Sequence, residues 1–225
     1  MVSAIIVAAG KGTRMQMDEK KQFILVNDKS LVAWSIEAFQ KCNDIDEIIL
    51  VTNKEDIEFC KSEIVEKYDY GKVRGIVAGG SSRGESVYNG LREAKCDYVL
   101  IHDGARPLIS PTDISRCVEE VKVKKAVCMA VPVKDTIKVV DECGVIDKTP
   151  KRDTLWSAQT PQVFEYELIF MAYSKAIQDG YESTDDCSVV ERLGIDVHVV
   201  MGSYENIKIT TKEDVNYLKL IMQKD

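Results

Sequence analysis

Directly after an apolar run near the start of the chain stands Ala8-Ala9-Gly10-Lys11-Gly12-Thr13-Arg14-Met15. Paired glycines let main-chain N–H groups approach an anion closely, and cationic side chains complete such a cradle. The third glycine of a dinucleotide-binding G-x-G-x-x-G is replaced by Met15, and no G-x-x-x-x-G-K-[ST] loop occurs. A tight strand-to-helix turn would explain two glycines equally well. Cation density decides between the readings: Lys11, Arg14, Lys20 and Lys21 fall within eleven residues of a chain whose net charge is −7. A phosphate-rich ligand fits that concentration better.

A second segment, Gly80-Ser81-Ser82-Arg83-Gly84, satisfies G-x-S-x-G, the elbow that exposes a hydrolase nucleophile. Ser82 would then need a histidine, and the chain has only His102 and His198. His198 sits inside the strand-like Asp196-Val197-His198-Val199-Val200, and His102 follows Ser82 by twenty residues. A glycine-rich turn that meets a nucleotide base through its main chain explains the segment equally well, so the serine hydrolase is the minor alternative. Third, His102-Asp103-Gly104-Ala105-Arg106-Pro107 closes an apolar strand. A carboxylate at a strand's carboxyl end can approach a metal–phosphate complex or a substrate hydroxyl, which makes Asp103 the candidate metal contact. Capping of the following turn is the bland reading, but the neighbouring Arg106 favours an anion site. Lys134-Asp135-Thr136-Ile137-Lys138, Lys151-Arg152, Thr160-Pro161-Gln162, Ser183-Thr184-Asp185-Asp186 and Asn206-Ile207-Lys208-Ile209-Thr210 each read alone as surface or turn, and gain meaning only beside the earlier loops.

These segments need a scaffold. The 225 residues, 45% hydrophobic and 30% charged, suit one globular domain over 1–225 and exclude collagen-like, disordered and disulfide-scaffold classes. No apolar run approaches a membrane span. The first residues lack a charged n-region and a cleavage site, and the seven cysteines form no C-x-x-C, so a soluble cytoplasmic protein is expected. The acidic balance argues against broad nucleic-acid binding. Near-continuous apolar runs at 4–9, 47–52, 73–78, 97–102 and 126–131 read as strands covered on both faces. Helical patterns at 30–41, 55–67, 83–95 and 111–124 alternate with them, and Ser110-Pro111 opens the last. The fold class expected is α/β, a doubly wound, mostly parallel sheet that binds ligands beyond the carboxyl ends of its strands. After Val131 the rhythm breaks. Residues 133–153 carry two short β-type runs around Glu142-Cys143-Gly144, a projecting hairpin arm that needs a surface to pack on, so a partner subunit is expected. A helix at 165–178, strands at 196–201 and 206–210, and a final helix with Val215, Leu218 and Ile221 on one face complete the reading.

In order and spacing, AAGKGTRM with KKQF, GGSSRGESV, HDGARP, PVKDTIK, LWSAQTPQVF, STDD and NIKITTKED resemble the 2-C-methyl-D-erythritol 4-phosphate cytidylyltransferase family over nearly the whole chain. The resemblance implies a Rossmann-like nucleotidyltransferase domain, a Mg²⁺-dependent reaction of CTP with a polyol phosphate, and a homodimer joined through the arm. It matches Arg14 and Lys21 to transition-state stabilisers, and Ala8, Ala9, Gly10, Gly12, Gly80 and Ser86 to nucleotide contacts, with Arg83 in the same loop. The sugar-phosphate set matches Asp103, Arg106, Thr136, Arg152, Thr160, Thr184 and Lys208; Arg152, reaching over from the neighbouring subunit, and Lys208 would hold the attacking phosphate. Ribitol-5-phosphate cytidylyltransferases share this chemistry and are the nearest rival. Gly104 stands where many members have alanine, and Lys20 takes the place of a proline, which removes a rigidifier from the loop.

Overall fold

The computed structural model describes residues 1–10 and 20–223. Its elements in chain order are β1 (Val2–Val7), β2 (Leu25–Val26), β3 (Lys29–Ser30), α1 (Leu31–Lys41), β4 (Glu47–Thr52), α2 (Ile57–Cys60), β5 (Val73–Ala78), α3 (Arg83–Glu93) and β6 (Tyr98–Asp103). They continue with α4 (Pro111–Lys124), β7 (Ala126–Pro132), β8 (Val139–Val140), β9 (Ile146–Lys148), β10 (Trp156–Glu165), α5 (Tyr166–Gln178), α6 (Asp186–Glu191), β11 (His198–Met201) and α7 (Lys212–Ile221). Seven strands form one sheet in the order β11-β7-β10-β6-β1-β4-β5. β10 runs antiparallel to both its neighbours, and the other pairs are parallel.

The double covering follows from the strand sequences. Along β1, Ala4 and Ile6 join Val32, Ile36 and Phe39 of α1 and Val118 of α4 on one face. Ile5 points the other way, into Val87 and Leu91 of α3 and Tyr173 of α5. Alternate side chains therefore bury on opposite faces, and burying each isoleucine contributes roughly 1.5–3 kcal/mol. Hydroxyls and carboxylates set the helix starts: Ser30, Ser82, Ser110, Asp185 and Thr211 each accept a hydrogen bond from the main-chain N–H three residues on. No helix among the described residues is long and apolar enough to cross a membrane.

Three expectations change. The strand β10 lies where the sequence suggests only a motif, because Gln159, Thr160 and Gln162 are polar yet buried. Residues 206–210 are extended but not a strand: their neighbour is a loop, reached through the Ile209 N–H donating to the Ala105 carbonyl at 2.8 Å. The helix expected over 55–67 breaks into a 3-10 turn (Lys54–Asp56), the short α2 and a wide π turn (Lys61–Glu66). The hairpin within 133–153 is present. β8 and β9 pair antiparallel in a sheet of their own, and Val140, Val145 and Ile146 are all more than half exposed.

Candidate active site

Parallel strands end on the same side, and the loops that leave β1, β4, β5 and β6 there enclose a cavity of about 620 Å³. Ala8, Ala9 and Gly10 follow β1, Asn53 follows β4, Gly80 follows β5, and Asp103 closes β6. The loops touch closely: a Cβ on Gly79 would lie 2.4 Å from the Cβ of Ala9, so only glycine permits this approach. Inside the second loop, Ser86 Oγ accepts from the Gly80 N–H (3.1 Å) and donates to the Ser82 carbonyl (2.8 Å). Glu85 accepts from both the N–H and the hydroxyl of Ser81 at 2.7 Å. The loop's conformation is thus held from within.

Cations gather here against the sign of the whole chain. Lys21, Arg83 and Lys208 line the cavity, and Asp103 is the one carboxylate among the described lining residues. Lys208 arrives because residues 206–210 alternate: Ile209 buries beside Ile24, Leu31 and Leu218, leaving Lys208 and Thr210 on the cavity side. Lys208 Nζ donates to Asp103 Oδ2 at 2.6 Å. Arg83 reaches Asp103 Oδ1 at 3.3 Å and grips the fully buried Asp186 through two parallel bonds of 2.8 and 2.7 Å. Tyr173 also donates to Asp186 at 2.5 Å. Burial works against the Arg83 charge, but Asp186 and Asp103 more than offset it and keep the guanidinium cationic. Burial would likewise raise the Asp103 carboxyl, yet Arg83 and Lys208 outweigh it and hold Asp103 well below the ordinary carboxylate range.

A second network lies beneath Asp103. The register of β10 shifts between Ala158 and Gln162, and the bulge lets Thr160 Oγ1 accept from the Asp103 N–H at 3.1 Å. The same hydroxyl donates to His102 Nδ1 (3.0 Å), while His102 Nε2 donates to the Arg106 carbonyl (3.1 Å). Every proton in that chain has its place only if the imidazole is neutral, and burial lowers the His102 pKa to about 4. In the unfolded chain His102 titrates near its ordinary value of about 6.5. Its contribution is therefore complete above that value and lost as pH falls toward the folded value. Unfolding free energy should fall by about 3 kcal/mol from this group between those limits. Urea unfolding at several pH values checks this: His102→Gln should flatten the dependence in that window, and an unchanged slope would reject it.

Most of the nucleotide set lands in the cavity: Ala8, Ala9, Gly10, Gly80, Arg83 and Ser86, together with Lys21, Asp103 and Lys208. Gly12 and Arg14 lie outside the described residues. Arg106 stands behind Asp103, its Nε 4.0 Å from Oδ2 and its Nη1 donating to the Asn206 carbonyl at 2.8 Å. Thr160 is buried with its hydroxyl engaged on both sides, so it holds Asp103 in place instead of lining the cavity. Thr184 is exposed just before α6, Thr136 and Arg152 are exposed in the arm segment, and none of the three is among the residues lining this chain's own cavity. Sequence reasoning missed Asn53, which the strand-end rule would have found, and the pairing of Asp186 with Arg83. Lys20 pairs with Asp56 at 2.7 Å, an ion pair that tethers the start of the turn over Lys21–Phe23.

The hydrolase reading fails. Ser82 Oγ caps α3 by accepting from the Glu85 N–H (3.1 Å), His102 is committed beneath Asp103, and His198 lies in β11 at the opposite edge of the sheet from the Ser82 loop. For Mg²⁺ the donor set is thin. No group of three or more His, Cys, Asp or Glu gathers among the described residues, and Asp103 is already held by Lys208 and Arg83. The described residues therefore do not form a protein cage for the ion.

Comparison with known proteins agrees with this geometry. A family model described as IspD, 2-C-methyl-D-erythritol 4-phosphate cytidylyltransferase, matches residues 2–224. The enzyme of that name from Clostridioides difficile (strain 630) is 48% identical over 224 residues, covering 99% of this chain and 94% of that one. The crystal structure of a 4-diphosphocytidyl-2C-methyl-D-erythritol synthase from Anaerococcus prevotii superposes with a TM-score of 0.87 at 36% identity, covering 99% and 98% of the two chains. That of the Francisella tularensis cytidylyltransferase gives 0.81 at 32% identity, covering 97% and 98%.

Proposed function

The chain belongs to the 2-C-methyl-D-erythritol 4-phosphate cytidylyltransferase family, and on that premise we propose how its residues divide the work of moving CMP from CTP to 2-C-methyl-D-erythritol 4-phosphate. A phosphate oxygen of the sugar attacks the α-phosphorus of CTP. The new O–P bond forms as the bond to the β-phosphate breaks, and pyrophosphate leaves with 4-diphosphocytidyl-2-C-methyl-D-erythritol as product. The attacker's second pKa lies near about 6, so it is already an oxyanion at neutral pH and needs no general base. The obstacle is repulsion between two anions, and catalysis is positioning and charge neutralisation. The observation that carries this reading is the convergence of Lys21, Arg83 and Lys208 on one cavity in an acidic chain.

Lys21, with Arg14, stabilises the α-phosphate in the transition state and the departing pyrophosphate. Lys208, aimed by Asp103, meets the attacking phosphate, and Arg106, Thr136, Thr184 and Arg152 complete the sugar-phosphate site. In the Gly80 loop the N–H groups of Gly80 and Ser81 are engaged by Ser86 and Glu85. The main chain there offers carbonyl oxygens, which accept from the exocyclic amino group of cytosine and repel the corresponding oxygen of uracil. Mg²⁺ bound together with CTP would supply further charge neutralisation, and of the described cavity lining only Asp103 offers it a carboxylate. The reaction belongs in the cytoplasm, where the free cysteines of the chain stay reduced.

The exposed apolar hairpin favours a homodimer. A two-stranded sheet alone is marginally stable, and a second copy gives the exposed Val140, Val145 and Ile146 a surface to bury against. Arg152, at the arm's base and bonded to the Lys134 carbonyl (3.2 Å), then reaches the neighbour's cavity. Arg152→Ala should raise KM for the sugar phosphate roughly 10- to 100-fold, the scale of one charge-assisted hydrogen bond. Mixed with inactive Lys21→Ala under subunit exchange, and assayed at sugar phosphate well below the raised KM, it should recover about a quarter of wild-type activity through heterodimers with one intact site. No recovery after demonstrated exchange would refute the shared site.

The reading is tested by pyrophosphate release. It should require both CTP and the methylerythritol phosphate, fall sharply with UTP, and stay near background with ribitol 5-phosphate. Release without an acceptor, or equal rates with ribitol 5-phosphate, would overturn it.

A further inference from the structure

Asp186 opens α6, is completely buried and does not line the cavity, so it touches no substrate seated there. A buried carboxylate is unfavourable unless its oxygens are paired, and these are. Oδ1 accepts from Tyr173 at 2.5 Å and from Arg83 Nη1 at 2.8 Å, and Oδ2 accepts from Arg83 Nη2 at 2.7 Å. The main chain around it is fixed as well: Asp185 caps α6 on the Ser188 N–H, and the Cys187 N–H donates to Gln162 of β10, both at 2.9 Å. The other edge of the Arg83 guanidinium faces Asp103. There Nε and Nη2 share the single oxygen Oδ1 at the longer distances of 3.4 and 3.3 Å, while Lys208 takes Oδ2 at 2.6 Å. Arg83 thus stands between two carboxylates and is drawn more tightly to the one outside the cavity.

We infer that Asp186 is a positioning residue: by holding Arg83 back, it leaves Asp103 free to aim Lys208 at the attacking phosphate. Arginine and carboxylate pair best through two parallel bonds, and Asp186 supplies that geometry. With Asp186 neutralised, Asp103 is the carboxylate that remains beside Arg83. The guanidinium then closes on both of its oxygens, and Lys208 loses Oδ2. The inference rests on the reading that Lys208 meets the sugar phosphate, and it carries control of that contact to a helix outside the cavity.

Asp186→Asn keeps the shape and removes the charge. In the full-length protein with CTP saturating, it should lower kcat/KM for the methylerythritol phosphate about 10- to 100-fold. Asp186→Glu keeps the carboxylate and should stay within a few-fold of wild type, even where the added methylene lowers the melting temperature. In an Arg83→Met background the competitor for Asp103 is gone. Adding Asp186→Asn there should leave kcat/KM where Arg83→Met alone puts it and raise the melting temperature, because no buried charge is then unpaired. This pair and Asp186→Glu decide the matter should Asp186→Asn alone fail to fold. A merely structural Asp186 would give kinetic losses that multiply in the double variant, or a loss in Asp186→Glu as large as in Asp186→Asn. Either result overturns the assignment, as does wild-type kcat/KM in folded Asp186→Asn. Failure of the underlying reading looks different: Lys208→Met would then keep the wild-type kcat/KM for the sugar phosphate.

Discussion

Lys21→Ala lowers kcat by at least about 10²-fold, the scale for one preorganised charge that acts on a developing oxyanion. Lys21 lines the cavity on the turn tethered by Lys20 and Asp56. The charge it answers grows in the transition state as the attacking and leaving oxygens share the phosphorus. Its loss should therefore appear in kcat, with KM for CTP changed only a few-fold, because Arg83 still draws the triphosphate in. Steady-state kinetics with CTP varied at saturating sugar phosphate separates these effects. Turnover near the wild-type rate would reject the role of Lys21, and a pure KM effect would make it a docking residue.

Asp103→Asn is expected to reduce kcat/KM for the sugar phosphate about 10²- to 10³-fold. The carboxylate aims Lys208 from 2.6 Å and balances Arg83 from 3.3 Å. With the charge removed, Lys208 loses its anchor, and Arg83 keeps only Asp186. Breaking a fully buried pair costs about 3–5 kcal/mol, but Lys208 and Arg83 retain solvent contact, and roughly 1–2 kcal/mol of destabilisation is the fitting scale. A lower melting temperature should accompany the kinetic defect, while CTP affinity should hold or improve, because the cavity gains net positive charge. Wild-type kcat/KM in a folded Asp103→Asn protein would show that Lys208 needs no aiming.

The chain discloses its scaffold where burial is two-sided. Ile5 and Ile6 bury on opposite faces, so β1 reads as an unbroken apolar run, as do β4 and β6. The same criterion hides β10. Gln162 accepts from the Cys187 N–H and donates to Asp185, both at 2.9 Å, and Thr160 serves His102 and Asp103. These are polar residues inside the molecule, and composition alone assigns them to a loop. Residues 206–210 mislead in the opposite sense. Their alternation is real, with Ile209 inward and Lys208 toward the cavity, but periodicity reports which faces are covered and not whether a strand lies alongside. The glycine-rich loops announce a phosphate site because glycine and cation density are local properties. The pairing of Arg83 with Asp186, 103 residues apart, leaves no periodic trace.

The central claim is that the substrate's own phosphate is the nucleophile, made reactive by converging cations and not by an enzyme base. The direct measurement is kcat/KM for the sugar phosphate across about pH 5 to 8, a quantity whose limbs report ionisations of the free reactants. It is made once with the phosphate and once with a phosphonate analogue whose second pKa lies higher. The acid limb should follow the substrate, moving up with the phosphonate. A limb that stays fixed when the substrate's pKa is moved would place a titrating base on the protein and contradict the claim.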